Sequence, residues 1–115
     1  MANLKQSGIK RDWSAVPVEL LEAIVDVFQH GNDKYERDNW QQNATAKPHE
    51  YISALYRHVA AYRKGQVIDD DSGLPHLAHA ATNAMILMWL DNHNANNATK
   101  RDNKETKKCR SYGWR

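Results

Sequence analysis

The stretch RHVAAYRKGQVIDDDSGLPHLAHAATN, residues 57–83, concentrates most of the polar chemistry of the chain. It holds three histidines, three successive aspartates and a closing asparagine: His58, His76, His79, Asp69, Asp70, Asp71 and Asn83. The residues that follow, AMILMWL at 84–90, are all apolar, which is typical of a helix buried on most sides. The stretch therefore predicts a polar site on a helix that also supplies the core.

The polar residues of this helix share one face. At about 100° per residue, His76, His79 and Asn83 fall within roughly 60° of one another. Burying a polar side chain without a partner costs about 1 to 3 kcal/mol, so this stripe requires hydrogen-bond partners, a metal ion or a ligand. Two interpretations stay open: core histidines that bond a neighbouring carboxylate, or a binding site.

Hydrophobic periodicity predicts three main helices and no sheet, so the fold class is all-α. The first helix is expected over 17–30, the second from Pro48 to Gly65, and the third from Pro75 to about Asn92. The apolar positions expected to form one arc of the first helix are Leu20, Leu21, Ile24, Val25, Val27 and Phe28. Those expected to face the core from the second helix are Ile52, Leu55, Val59 and Tyr62.

Length and composition indicate one globular domain. The chain has 115 residues, of which 41% are hydrophobic, enough for one core but few enough that association of copies adds stability. Residues 96–115 carry seven Lys or Arg against two acidic residues, so this end is +5 while residues 1–95 are −3. We expect an all-α domain over 1–95 and a basic tail over 96–115, which either solubilises the chain or contacts nucleic acid.

Cysteine usage and hydropathy bear on the compartment. The single Cys109 leaves no intramolecular disulfide or cysteine-based zinc knuckle. The sequence has no apolar run of about 18 residues and no signal-peptide core at its N-terminus. We therefore expect a cytoplasmic protein with no membrane partner.

Two further groups of polar residues admit a functional and a structural interpretation. Glu22 and Asp26, with Glu19, either hold a divalent cation along one side of the first helix or form a solvated face. In the polar connection 31–47, Lys34 suits a phosphate, and Asn39 and Trp40 suit a nucleoside. Equally, Lys34 is a surface residue and Trp40 anchors the connection to the core.

The combination of these groups suits hydrolysis of a phosphoanhydride. The sequence contains no P-loop, GxGxxG, HExxH or GxSxG motif. Carboxylates and imidazoles near the third helix can hold a divalent ion that activates water, and Lys34 and Arg57 can offset phosphate charge.

Spaced motifs over roughly residues 7–92 resemble the dATP/dGTP diphosphohydrolase N-terminal domain, a relative of the MazG-like all-α nucleotide pyrophosphohydrolases. The motifs are Gly31-x-x-Lys34-Tyr35-x-x-x-Asn39-Trp40, Tyr51-x-x-Ala54-x-x-Arg57-His58-x-x-Ala61 and Gly65-x-x-x-Asp69-x-Asp71-Ser72-Gly73-x-x-His76-Leu77-x-His79-Ala80-x-x-Asn83. The resemblance implies a homo-oligomeric, Mg²⁺- or Mn²⁺-dependent enzyme that hydrolyses purine (deoxy)nucleoside triphosphates to monophosphate and pyrophosphate. It also implies a phage origin, hence the host cytoplasm.

The chain departs from the family pattern in two places. Asp71 stands where the family has Glu, and His76-x-x-His79 stands where a second acidic pair is expected. We assign catalytic roles to His58, Asp71, His76 and His79. Metal binding is predicted for Asp69, Asp71, His76, His79, Glu22 and Asp26, and substrate binding for Lys34, Asn39, Trp40, Arg57 and Asn83. The alternative is a non-catalytic phage protein that binds a nucleotide or a host protein.

Overall fold

The computed structural model describes residues 10–34, 37 and 39–99. In this part of the chain a short 3-10 helix precedes four α-helices: Trp13–Ala15, then α1 Val18–Lys34, α2 Asn39–Ala46, α3 Pro48–Arg63 and α4 His76–Thr99. The described residues form no strand, and an isolated antiparallel bridge joins Ile68 to Pro75. The prediction of an all-α fold is confirmed.

The fourth helix is the centre of the fold. It packs against each of the other three helices, most extensively against α3. Its buried positions include Ala78, Thr82, Ile86 and Leu90, with 3–7% of each residue exposed. Small residues in its first two turns let neighbouring helices approach closely, and larger apolar residues follow in its middle, at positions 85–90.

The second helix was not predicted, and residues 39–46 are helical where the sequence suggested a turn-rich connection. Trp40, Asn43 and Ala44 follow the helical spacing i, i+3 and i+4 and form its inward side, and Ala44 is fully buried. With eight mostly polar residues, the segment has too weak a hydrophobic pattern to reveal itself. Its helicity depends on packing of that inward side rather than on intrinsic propensity.

The first helix continues through Gly31 to Lys34, so the predicted end at Gly31 is wrong. A glycine inside a helix costs about 1 kcal/mol relative to alanine, which packing against the rest of the fold can offset. The predicted apolar arc is only partly buried: Val27 is 9% exposed, whereas Leu20 and Val25 are each 57% exposed.

The predicted core face of α3 is wrong for three of its four residues and right for Leu55. Ile52, Val59 and Tyr62 are 43–45% exposed. The helix instead turns Tyr51, Leu55 and His58 inward, where each is half-buried. The helix has apolar residues on two sides, and the side that packs against α4 is the one that also carries Tyr51 and His58.

The start of α3 at Pro48 is as predicted, and its end near Gly65 follows from backbone geometry. Gly65 has φ +100°, a conformation that favours glycine, and backbone bonds Gly65 N–H to Tyr62 and Gln66 N–H to Ala61 close the last turn. The helix α4 runs to Thr99 rather than ending near Asn92. Residues 96–99 are therefore helical, and the rest of the predicted basic tail, 100–115, lies outside the described residues.

Candidate functional site

The loop between α3 and α4 is fastened to the start of α4 by backbone hydrogen bonds. His76 N–H donates to Val67 C=O at 2.8 Å, and Asp69 N–H donates to Leu74 C=O at 2.9 Å. Gly73, at φ +73°, closes the turn with a 2.8 Å bond from its N–H to Asp69 C=O. These bonds fix the position of Asp69 relative to the first turn of α4.

Asp69, Ser72 and His79 form a connected hydrogen-bond network. The Ser72 hydroxyl lies 2.7 Å from His79 Nε2 and 3.2 Å from Asp69 Oδ2, and Leu74 N–H donates to it at 3.1 Å. His79 Nε2 also lies 3.4 Å from Asp69 Oδ2. The other carboxylate oxygen, Oδ1, accepts from Asp71 N–H at 3.3 Å.

Proton counting in this network assigns the tautomer of His79. A hydroxyl has one proton and two lone pairs, and an ionised carboxylate only accepts. If Ser72 accepts from Leu74 N–H and donates to Asp69 Oδ2, its remaining lone pair accepts from His79 Nε2–H. The ionised Asp69 Oδ2, which can only accept, also lies 3.4 Å from Nε2, so we assign the imidazole proton to Nε2 and the basic lone pair to Nδ1. A carboxylate that orients an imidazole in this way also stabilises the protonated ring.

The three predicted histidines lie together. The rings of His58 and His79 stack with centroids 4.5 Å apart and planes at 10°. His58 Nδ1 and His76 Nδ1 are 2.8 Å apart, so one of the two donates and the other accepts. His76 is 6% exposed, and its Nε2 has no hydrogen-bond partner among the described residues.

The environment favours neutral imidazoles and an ionised Asp69. Burial lowers the pKa of His58, and nearby His79 and His76 lower it further. Burial also lowers the pKa of His79, although Asp69 opposes this shift. For Asp69 burial raises the pKa, but hydrogen bonds from Asp71 N–H and Ser72 and the nearness of His79 outweigh it, so the net pKa is lowered.

These histidines predict a pH-dependent stability. In the folded chain His58 and His79 protonate below their ordinary pKa of 6.5, so below that pH the unfolded chain binds more protons. The free energy of unfolding is expected to be level above about pH 7 and to fall as the pH drops below about 6.5. Urea unfolding across this range measures it.

The matched control for the pH prediction is His49, which is exposed at the start of α3. His58→Gln is expected to reduce the loss of unfolding free energy at low pH, whereas His49→Gln is expected to leave that loss unchanged. A parent chain equally stable at both ends of the range contradicts the prediction.

Beside the histidines lies a cavity of about 410 Å³, to which all four helices contribute. Its apolar walls come from Val27, Phe28, Trp40, Tyr51 and Ile86. The Trp40 ring is held by Phe28, with centroids 5.6 Å apart, and by an edge-to-face contact with Trp89 at 5.1 Å. The volume lies within the range of pockets that bind small organic ligands.

The polar part of the cavity wall consists of neutral amides, two hydroxyls and imidazoles. These groups belong to Asn32, Asn39, Asn43, Asn83, His30, His79 and Thr82, together with the hydroxyl of Tyr51. In the described part of the chain no Asp, Glu, Lys or Arg lines it. Thr82 is 3% exposed, and its hydroxyl has no hydrogen-bond partner there. Such a wall suits an uncharged aromatic ligand with donors and acceptors at its edge, because amides meet both.

Several predicted site residues converge on this region. His58, Asp69, His76 and His79 form the cluster, and Asn39, Trp40 and Asn83 line the cavity with His79. Asn83 is held by a 2.8 Å bond from its Nδ2 to His79 C=O.

Other predicted site residues lie elsewhere. The Asp71 side chain is exposed, and this residue enters the network through its backbone N–H. Arg57 is exposed and donates to Ser53 at 3.0 Å, and Lys34 is exposed in the last turn of α1. Glu22 and Asp26 border a shallow groove on α1 that shares no residue with the cavity. Their roles stay predictions.

Five polar cavity residues were missed: His30, Asn32, Asn43, Tyr51 and Thr82. Thr82 falls three residues after His79 on the same helix, so the polar stripe could have included it. Asn43 falls three residues after Trp40, which is informative only once α2 is recognised as a helix. His30 carried no signal beyond its residue type.

The described residues do not supply a complete set of ligands for a divalent ion. Over residues 10–34, 37 and 39–99, no three His, Cys, Asp or Glu side chains are grouped so as to hold a metal ion. The imidazole nitrogens of His58, His76 and His79 that have partners bond to each other or to Ser72 and Asp69. These residues therefore do not by themselves fit a resident metal. In addition, none of the described helices has the length and apolar character needed to cross a bilayer.

The fold and the cavity define a small all-α domain with an amide-lined pocket beside a carboxylate-oriented histidine. The chain belongs to the family described as dATP/dGTP diphosphohydrolase, N-terminal, whose model matches residues 1–101. This match confirms the resemblance seen in the motifs.

A similar curated protein, from Salmonella phage PMBT28, is named dATP/dGTP diphosphohydrolase. It is 37% identical over 92 residues, which cover 76% of this chain and 31% of the phage protein. The chain thus spans about a third of the length of this relative. No solved structure matches the chain.

Proposed function

We propose that the chain hydrolyses purine deoxynucleoside triphosphates to the monophosphate and pyrophosphate. The observation that carries this proposal is the position of His79, which lines the cavity while Asp69 and Ser72 hold its Nε2. Family membership and the name of the phage relative support the choice of substrate. The setting we propose is phage nucleotide metabolism in the host cytoplasm.

In the proposed reaction the base occupies the cavity and the phosphates extend past His79. The Nδ1 of His79 accepts a proton from water as its oxygen attacks the α-phosphorus. The bond from that phosphorus to the bridging oxygen breaks, and pyrophosphate leaves with the oxygen. Asp69 stabilises the resulting imidazolium, and Lys34 and Arg57 are the proposed countercharges for the phosphates.

Dependence on Mg²⁺ or Mn²⁺ remains part of the proposal, since phosphoanhydride hydrolysis commonly uses a divalent ion to offset charge. Among the described residues no three candidate metal ligands lie together. We therefore assign the proposed proton transfer to a side chain of the protein, His79. Omitting the divalent ion from the activity assay tests the dependence directly.

We also propose that the chain functions as a homo-oligomer. The support is exposed apolar surface: Leu20 and Val25 on α1, and Tyr56 on α3, are 57–71% exposed. On α1 the exposed side chains of Val18, Leu21 and Val25 line one groove, and an apolar patch of this kind is typical of an interface. Light scattering after size exclusion is expected to give a mass above the 13.2 kDa of one chain, and a monomer at micromolar concentration contradicts the proposal.

The deciding experiment is product analysis. Purified protein is incubated with each of the four dNTPs, with and without Mn²⁺, and the products are separated by anion-exchange chromatography. Monophosphate and pyrophosphate from dATP and dGTP support the proposal. Release of diphosphate and orthophosphate contradicts it, and binding of dNTPs without any turnover favours a non-catalytic nucleotide-binding protein.

A further inference from the structure

We propose that Asn43 and Tyr51 recognise the substituent at the 6-position of the purine, and that reversal of their mutual hydrogen bond lets one cavity take adenine and guanine. This inference rests on the proposed function, because it names how that substrate class is recognised.

The two side chains lie on the cavity wall and contact each other. Asn43 Nδ2 donates to Tyr51 Oη at 3.1 Å, and Tyr51 Oη donates to Trp40 C=O at 3.5 Å. Both residues are half-buried, and both line the cavity together with Trp40. In this arrangement one of the two Nδ2 protons of Asn43 is used by Tyr51, and the oxygen Oδ1 at the other end of the amide can accept from a ligand.

The hydrogen bond between Asn43 and Tyr51 can run in either direction. A carboxamide has a donor end and an acceptor end, and a phenolic hydroxyl both donates and accepts. When the amide rotates by half a turn, Tyr51 donates to Asn43 Oδ1, and Nδ2 becomes the donor for a ligand. The hydroxyl gives up only its bond to Trp40, which at 3.5 Å is long and weak.

Adenine and guanine differ in hydrogen-bonding character at the 6-position. Adenine carries an amino group that donates there, and guanine carries an oxygen that accepts. A fixed carboxylate or ammonium group suits one of the two bases and opposes the other. A reversible amide matches each base in turn, and the absence of charged side chains from the described cavity wall agrees with this role.

The first test replaces the reversible amide with a fixed acceptor. Asn43→Asp is expected to raise the ratio of kcat/KM for dATP over dGTP by about tenfold or more, because the carboxylate accepts from the adenine amino group but repels the guanine oxygen. The control is Gln42→Glu, which adds the same charge on the exposed side of α2 and is expected to leave the ratio unchanged. An unchanged ratio in Asn43→Asp, or one that moves toward dGTP, overturns the inference.

The second test uses the parent protein, so it does not depend on how well a variant folds. The triphosphate of purine deoxyriboside, which has no 6-substituent, is expected to have a kcat/KM at least about tenfold below that of dATP. The triphosphate of deoxyinosine keeps the 6-oxygen but lacks the 2-amino group, and is expected to match dGTP within about threefold. Equal turnover of the unsubstituted purine and dATP overturns the inference.

The outcomes separate this inference from the proposed function. If the parent protein hydrolyses dNTPs but shows neither of the expected kcat/KM ratios, or hydrolyses only one of the two purine substrates, the inference is wrong and the proposed hydrolase function stands. If the parent protein hydrolyses no dNTP, the proposed function is wrong. In that case the same ratios are measured as Kd values for dAMP, dGMP and the corresponding analogues by calorimetry, and they decide the inference.

Discussion

Asp69→Asn is expected to lower kcat for dATP and dGTP by about a hundredfold or more. The carboxylate accepts from Ser72 and lies near His79 Nε2, and it thereby keeps the imidazole proton on that nitrogen. A carboxamide offers one acceptor and one donor, so it cannot hold the same network and it no longer stabilises a protonated His79. Steady-state kinetics under the conditions of the product assay measures the loss.

The neighbouring aspartate provides the matched control for this variant. Asp70 is exposed, and its Oδ2 accepts from Gln66 at 3.2 Å on the surface of the same loop. Asp70→Asn removes the same charge and is expected to change kcat by less than about threefold. Circular dichroism checks that both variants remain helical. Equal losses of activity in the two folded variants indicate that Asp69 acts only through loop charge, which contradicts the assigned role.

Trp40→Ala is expected to lower the free energy of unfolding by about 2 to 4 kcal/mol. The Trp40 ring contacts Phe28 and Trp89 and forms part of the cavity wall, so its removal enlarges a space that the helices cannot easily close. It also removes two aromatic contacts, each worth about 0.5 to 1.5 kcal/mol beyond area burial. Urea unfolding monitored by circular dichroism measures the change.

Trp13 is the natural comparison, because it is the same residue type in an exposed position. It is 79% exposed in the short helix that precedes α1. Trp13→Ala is expected to change the free energy of unfolding by less than about 0.5 kcal/mol. If the two substitutions cost the same, Trp40 is not part of the packed interior.

The sequence predicts structure best where a local pattern agrees with what packing in the folded chain requires. Pro48 and Pro75 mark helix starts in the sequence and in the structure. The stripe of His76, His79 and Asn83 also marked a helix face that needs partners, because buried polar groups are costly without them, and His79 and Asn83 of this stripe line the cavity. His58 and Asp69 were predicted as site residues on other grounds, the chemistry of imidazoles and carboxylates and the family motifs, and the structure places both beside His79.

The errors come from features that only tertiary packing decides. The inward side of α3 carries Tyr51 and His58 rather than Ile52 and Val59, and periodicity alone prefers the more apolar side. The short α2 gains its order by placing Ala44 against the other helices. The choice between Asp69 and Asp71 also depended on the turn at Gly73, which directs one carboxylate to His79 and leaves the other exposed.

The edge-to-face pair of Trp40 and Trp89 has an experimental use. Because Trp40 borders the cavity and touches Trp89, the emission of two indoles depends on what fills that space. A purine stacked against Trp40 is expected to quench this emission, so ligand entry can be followed without a label. Replacing Trp13 by phenylalanine lowers the background from an indole that lies in solvent. The domain thus contains its own optical probe of occupancy.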